Sequence, residues 1–234
     1  MKRILFIGLL LLSSITAAAD EVHYIGFNKF VSDKKSDSAA SFDSYTRRLR
    51  PIMDRYGMSL EVFTVVHGGS ALLAADAVTF GTAKNMETMG AFFQDPELQA
   101  IFPDLVAALS EHQVIFTSSQ FSPGDSEEGH LLLSMDWMQD KENGIEDFHT
   151  LINSLEAVCK QFGVSKLSST SGVMSNRGLA REITPVAAPD LLELWTMRDA
   201  HGYYDDLRVN NVNKKLMDIV SRTESFWLVP RSAG

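Results

Sequence analysis

Phe42, Tyr45, Leu49, Ile52, Met53 and Tyr56 recur at spacings of three and four, and Gly57 follows them. That spacing lines up one apolar helix face, and the glycine supplies a left-handed C-cap. Adding 106 to each number gives Phe148, Leu151, Leu155, Val158, Cys159, Phe162 and Gly163, so the pattern returns with every position still apolar. A second face repeats at an offset of 111: Phe92, Phe93, Leu98, Ile101, Phe102, Leu105, Val106 and Leu109 become Tyr203, Tyr204, Val209, Val212, Asn213, Leu216, Met217 and Val220. Only Asn213 breaks it. In the first copy Asp95-Pro96 offers an N-cap and an N1 proline, which predicts a short helix followed by a longer one. Repeats of this kind organise a chain before any local structure does.

Apolar runs of strand length bracket the helices. Tyr24–Val31 and Leu131–Met138 open the two halves, each just after a histidine (His23, His130). Met58–Val66 and Val164–Ser171 come second, Ala77–Thr82 and Leu191–Met197 third. Val114–Ser118 and Ser225–Val229 close the halves. Each half therefore reads β-α-β-β-α-β, the ferredoxin-like order, in an α+β protein. Such a unit covers one sheet face with helices and leaves the other apolar face bare, which water does not tolerate. Two sheets packed face to face remove the problem. The expectation is a pseudo-dimer within one chain: residues 20–121 and 129–234 as two domains, joined by the polar, turn-forming segment 122–128.

Met1–Ala19 has the pattern of a secretory signal: Lys2 and Arg3, the apolar run Ile4–Leu12, then small residues before Asp20. A periplasmic or secreted location is expected, with no membrane attachment after cleavage. The formal net charge of −9 becomes −11 without Lys2 and Arg3, which argues against nucleic acid or anionic lipid as partner. Cys159 is the single cysteine, so no disulfide can form within the chain, and its place in the helix repeat makes it a core residue.

Candidate chemistry is sparse. His67 ends a strand beside Gly68-Gly69-Ser70, where backbone amides are free to hold an oxygen and a histidine can act as general base. Alternation puts Tyr24, Gly26, Asn28 and Phe30 on one face of the first strand, and Leu131, Leu133, Met135 and Trp137 on the face matched to it. Trp195 adds an aromatic from the third strand of the second half. Tyr24, Asn28, Trp137 and Trp195 are the expected ligand-binding residues of an apolar pocket between the sheets, with Asn28 and Tyr24 as its polar groups. His23 and His130 read as edge residues, His201 as a loop residue entering a helix, and His112 and His149 as exposed helix positions. No metal site or cofactor is expected, and no nucleophile elbow, zinc-protease, Cys-x-x-Cys or phosphate-loop motif occurs.

Phe42-Asp-Ser-Tyr-Thr, Tyr56-Gly57, Val66-His67-Gly68-Gly69 and Phe92-Phe93-Gln-Asp95-Pro96-Glu97-Leu98 together resemble the dimeric α+β barrel superfamily. Within it the chain is most similar to small domains of unknown function, duplicated in tandem. The resemblance implies the fold over nearly the whole mature chain and leaves the chemistry open. Against the haem-degrading branch, Asn28 matches the first-strand asparagine, but Phe92 and Tyr203 stand where that branch has tryptophan. Phe102 and Asn213 stand where it has the iron-ligating histidine, so that route is not expected. The leading expectation is an exported protein that binds a small apolar or aromatic molecule. A cofactor-independent enzyme of monooxygenase or isomerase type, with His67 taking a proton, is the alternative. A non-catalytic structural or partner-binding module is the third.

Overall fold

A computed structural model describes residues 21–117, 120–123, 130–171, 173–177, 187–198 and 200–231. The signal-like segment and most of segment 122–128 lie outside them, as does the His201 side chain. In the first half β1 (Val22–Phe30), α1 (Lys35–Arg55), β2 (Ser59–Gly68), β3 (Ala77–Ala83), α2 (Met86–Phe93), α3 (Pro96–Ala108) and β4 (Leu109–Thr117) follow one another. A single 3-10 turn, Ser32–Lys34, leads into α1. The second half runs β5 (His130–Met138), α4 (Gly144–Asn153), α5 (Glu156–Gln161), β6 (Ser165–Thr170), β7 (Val173–Arg177), β8 (Leu191–Met197), α6 (Ala200–Asp205), α7 (Leu207–Leu216) and β9 (Val220–Pro230).

The helices form for the reasons written in their sequences. α1 buries Phe42, Tyr45, Leu49, Ile52 and Met53, and Gly57 follows at φ +62°. Asp95 caps α3 by accepting from the Glu97 and Leu98 amides, and this separates α2 from α3. The counterpart of α1 is interrupted: α4 and α5 are divided at Ser154–Leu155. Among the described residues no helix is long and apolar enough to cross a membrane.

All strands join one sheet in the order β6-β8-β5-β9-β2-β3-β1-β4-β7. The order β6-β8-β5-β9 repeats β2-β3-β1-β4. β2 pairs with β3 through Ser59–Thr64 and with β9 through Phe63–Gly68. β6 pairs with β8, and β7, two residues further along the chain, pairs with β4. The chain itself thus closes the sheet into a ring. Separate layers lying face to face would leave open edges, whereas edge pairing satisfies those backbone groups as well as covering the apolar faces.

Residues of both halves fill the ring: Ile25, Phe27, Val78, Leu133, Met135, Leu192, Leu194, Phe226 and Leu228 are each no more than 1% exposed. The pocket expected between the sheets is occupied by these packed side chains. Outside the ring, α1, α2 and α3 cover the first half through one continuous apolar cluster. The helices of the second half rest on two separate ones.

Hydrogen bonds correct the match between β1 and β5. The Asp76 amide donates to the Asn28 carbonyl at 2.8 Å, and the Asp190 amide donates to the Asp136 carbonyl at 2.9 Å. Likewise the Phe30 amide donates to the Asp76 carboxylate, and the Met138 amide to that of Asp190. Asn28 therefore corresponds to Asp136, not Met135. A slip of one residue exchanges the two faces of a strand: Tyr24 and Asn28 face the helices, while Leu131, Leu133, Met135 and Trp137 face the ring interior.

Candidate functional site

β1 and β3 set a polar group into the helix-facing side of the first half. Gly26 lies at its centre. A Cβ there would stand 2.4 Å from Thr79 Oγ1, 3.4 Å from His112 Cε1 and 3.7 Å from Asn28 Nδ2, so only glycine lets the three side chains converge. Thr79 donates to the Gly26 carbonyl at 3.3 Å. Asn28, 1% exposed, directs Nδ2 at the carbonyls of Gly26 (3.2 Å) and Ala77 (3.4 Å). Its Oδ1 lies 2.8 Å from His112 Nδ1.

This geometry assigns the imidazole tautomer. Because Nδ2 is the donor to two carbonyls, Oδ1 is the atom turned to His112, and an amide oxygen only accepts. Nδ1 must then carry hydrogen, which leaves the lone pair on Nε2. No described residue bonds Nε2, and it is not among the sealed, unpartnered atoms of the described residues. Desolvation pushes the His112 pKa from the usual 6.5 down to about 4, so the ring is neutral at pH 7.

Tyr24 and Tyr45 face the same helix–sheet space. Gly81 makes room for the Tyr24 ring, whose Oη lies 2.3 Å from where a Cβ at residue 81 would be. Burial raises both phenol pKa values, so both hydroxyls stay protonated. Neither hydroxyl has a hydrogen-bond partner among the described residues, yet neither is sealed. His112 and Tyr24 are half-buried although both are strongly desolvated. Phe116, against the Tyr24 ring, and Phe102 add apolar surface beside the same cluster.

The residues singled out from sequence are not assembled in one place. Tyr24 and Asn28 belong to this helix-facing group. Trp137 lies at the end of the ring interior, donating to the Ala187 carbonyl with Arg222 stacked 4.4 Å from its ring centroid. Trp195 faces the helices of the second half under Lys166. His67 is exposed on β2, paired with Trp227 across the ring seam. Gly68 and Gly69 (φ +117° and +76°) lie against the Ser225 and Phe226 backbone and side chain there. His23 is buried, with Nε2 3.3 Å from Glu21 and Nδ1 without a partner, whereas His130 is exposed.

His112 escaped sequence reading because α3 passes into β4 without a turn. The helix ends at Ala108 and the strand begins at Leu109, five residues before the expected Val114. Alternation of Ser110, His112, Val114 and Phe116 held the signal, with His112 in register opposite Asn28.

Phe102, the residue compared in the sequence with the iron-ligating histidine of the haem-degrading branch, packs against the apolar cluster and has no donor atom. Among the described residues no three His, Cys, Asp or Glu side chains gather as metal ligands. The residues do not fit that route.

No protein-family model matches the chain, and no curated protein matches it. Similar folds occur among solved structures. A chlorite dismutase variant from Candidatus Nitrospira defluvii superposes with TM-score 0.53 at 8% identity, over 91% of this chain and 93% of that one. An anthrone oxidase-like protein gives 0.51 at 10% identity, over 93% and 95%. A candidate monooxygenase from Fusobacterium nucleatum subsp. nucleatum gives 0.51 at 9% identity, over 91% and 93%.

Proposed function

We propose that this chain, whose fold is that of the dimeric α+β barrels, is an enzyme that removes a proton from a small, largely apolar substrate without a bound cofactor. The observation that carries the reading is the hydrogen-bonded pair in which Asn28 holds His112, a half-buried residue whose Nε2 lone pair no described residue occupies. A neutral, oriented imidazole is a general base. Tyr24 and Tyr45 orient the substrate through its oxygen, and Phe102 and Phe116 contact its apolar part. His112 takes the role first considered for His67.

The reaction class is abstraction of an acidic C–H or O–H proton next to a carbonyl or aromatic ring. Reprotonation elsewhere gives an isomerase. Dioxygen as second substrate gives a monooxygenase, with one oxygen atom entering the substrate and the other leaving as water. We take residues 20–121 and 129–234 as tandem domains, of which the first holds the site and the second completes the ring. Export rests on the signal-like N-terminus.

Anthrone, an apolar ketone with an acidic methylene, is a suitable probe. In deuterated buffer under nitrogen, wild type should exchange the methylene protons faster than His112→Gln, and oxygen uptake in air would then mark the monooxygenase. Equal exchange by both proteins, at a rate above buffer, would remove His112 as base. No exchange above buffer by either would remove this substrate class.

A further inference from the structure

Charged side chains of both halves gather at the ring seam, beside the start of α1. β2 pairs with β3 as far as Thr64 and Ala77, and its residues from Phe63 onward pair with β9. Arg231 follows β9, its amide donating to the Val62 carbonyl at 2.9 Å. Arg231 Nε and Nη2 donate to the Asp43 carboxylate at 2.6 and 3.0 Å, and Nη1 donates to Thr64 Oγ1 at 3.3 Å. The guanidinium carbon lies 5.5 Å from the Phe30 ring centroid. Asp76, 8% exposed, accepts from the Phe30 amide at 3.0 Å, from Lys29 Nζ at 3.1 Å and from Lys35 Nζ at 2.5 Å.

Among these groups the surface opens into a cleft of about 240 Å3. Lys35 and Ser36 at the start of α1, with Thr64, Asp76 and Arg231, form its polar walls. Phe30, Ala39 and Val65 form the apolar ones. None of these residues belongs to the Asn28–His112 group.

Charge and donor capacity decide what fits the cleft. Both carboxylates are engaged: Asp43 takes two N–H groups of Arg231, and Asp76 takes an amide and two ammonium groups. The donors are not used up. A guanidinium has five N–H groups, of which Arg231 commits three, and an ammonium has three, of which Lys35 commits one. The Ser36 and Thr64 hydroxyls are further donors. Lys29, Lys35 and Arg231 set against Asp43 and Asp76 leave a single positive charge. The complement is an acceptor with one negative charge and an apolar body. The volume, below the ~300–1,000 Å3 of drug-sized sites, keeps that body small.

We propose that this cleft binds a small organic monocarboxylate, whose oxygens take the remaining hydrogens of Arg231 and Lys35 while its hydrocarbon part lies on Phe30 and Val65. Hydrogen bonds between ionised partners are the strong ones. Arg231 is 16% exposed and already held by Asp43 and Thr64, so little side-chain freedom is lost when the ligand arrives. The cleft and the proton-removing group share no residue, and neither reading depends on the other.

Calorimetric titration of the full chain with sodium benzoate at pH 7 and low salt, with backbone amide shifts followed in parallel, tests the site. Binding should saturate, shift residues 35–39, 64–65 and 231, and weaken as salt is added. Benzyl alcohol, which keeps the ring without the charge, and inorganic phosphate, which keeps charge without the ring, should both bind less tightly. Lys35→Gln and Arg231→Gln should each weaken benzoate by about fivefold or more, the loss of one charge contact. Lys141→Gln, which removes an exposed lysine paired with Asp190 in the second half, should bind as wild type does. Lys35 is 63% exposed, so its variant carries the test should Arg231→Gln not fold. No saturable binding, shifts confined to other residues, phosphate or benzyl alcohol bound as tightly as benzoate, or unchanged affinity in either folded cleft variant would each overturn the proposal.

Discussion

His112 of the first half and Asp136 of the second oppose each other in the pH dependence of stability, and separating them is a quantitative test of the site. His112 is held neutral: its pKa falls from 6.5 to about 4 on folding, through desolvation. Between those values the unfolded chain binds a proton that the folded chain refuses, so stability is present above pH 6.5 and is lost as the pH falls toward 4. At about 1.4 kcal/mol per pH unit the ceiling is about 3 kcal/mol, and because His112 is half-buried, screening brings the expected effect to about 1–2 kcal/mol. Asp136 has the reverse sign. Its folded pKa of about 6 exceeds the unfolded 3.8, so its contribution is present below pH 3.8 and is lost as the pH rises through 6, with a ceiling of about 3 kcal/mol. Denaturant unfolding at half-unit steps from pH 4 to 7.5 should therefore show His112→Gln gaining on wild type as the pH falls. Asp136→Asn should gain on wild type as the pH rises. Differences between proteins cancel the groups they share. A stability of His112→Gln relative to wild type that is constant with pH, or that improves toward neutral pH, would refute the neutral, desolvated imidazole.

Other outcomes follow from single contacts. Gly26→Ala, whose methyl group meets Thr79 Oγ1 and crowds His112, should cost about 1–3 kcal/mol of stability and reduce anthrone exchange, measured on the folded fraction. Met135→Ala, at a fully buried position inside the ring, should cost about 2–5 kcal/mol in denaturant unfolding while the folded protein keeps its exchange rate. His67→Ala should change neither stability nor exchange measurably, because the side chain is exposed. Arg231→Ala removes a paired contact with Asp43 and the stacking on Phe30 that tie the end of β9 to α1, and should cost about 1–2 kcal/mol in the same assay.

The fold was legible because burial is periodic. Leu49 and Leu155, Met53 and Cys159, and Phe42 and Phe148 are buried in both halves at the positions the repeat selects. Asp95-Pro96 begins α3 as its capping chemistry demands. The register of β1 against β5 was not legible. Aligning His23 with His130 fits by identity, whereas the loop carboxylates Asp76 and Asp190, which bond the strand amides, fix an offset larger by one residue. That slip moved Tyr24 and Asn28 from the imagined inter-sheet pocket to the helix side. β7 was missed because the sequence reading stopped the preceding strand at Ser171, although the chain continues into the pairing with β4 that closes the ring. His112 could have been found by extending the alternation of Phe116 and Val114 backward; the helical spacing of α3 up to Leu109 hid it.

Imidazole nitrogen shifts of His112, followed from pH 7.5 to 4, test the central claim most directly. The account predicts hydrogen on Nδ1, a bare Nε2 at neutral pH, and a midpoint near 4, with the neutral tautomer preference lost in Asn28→Ala. Hydrogen on Nε2 at neutral pH, or a midpoint at the ordinary 6.5, would contradict it.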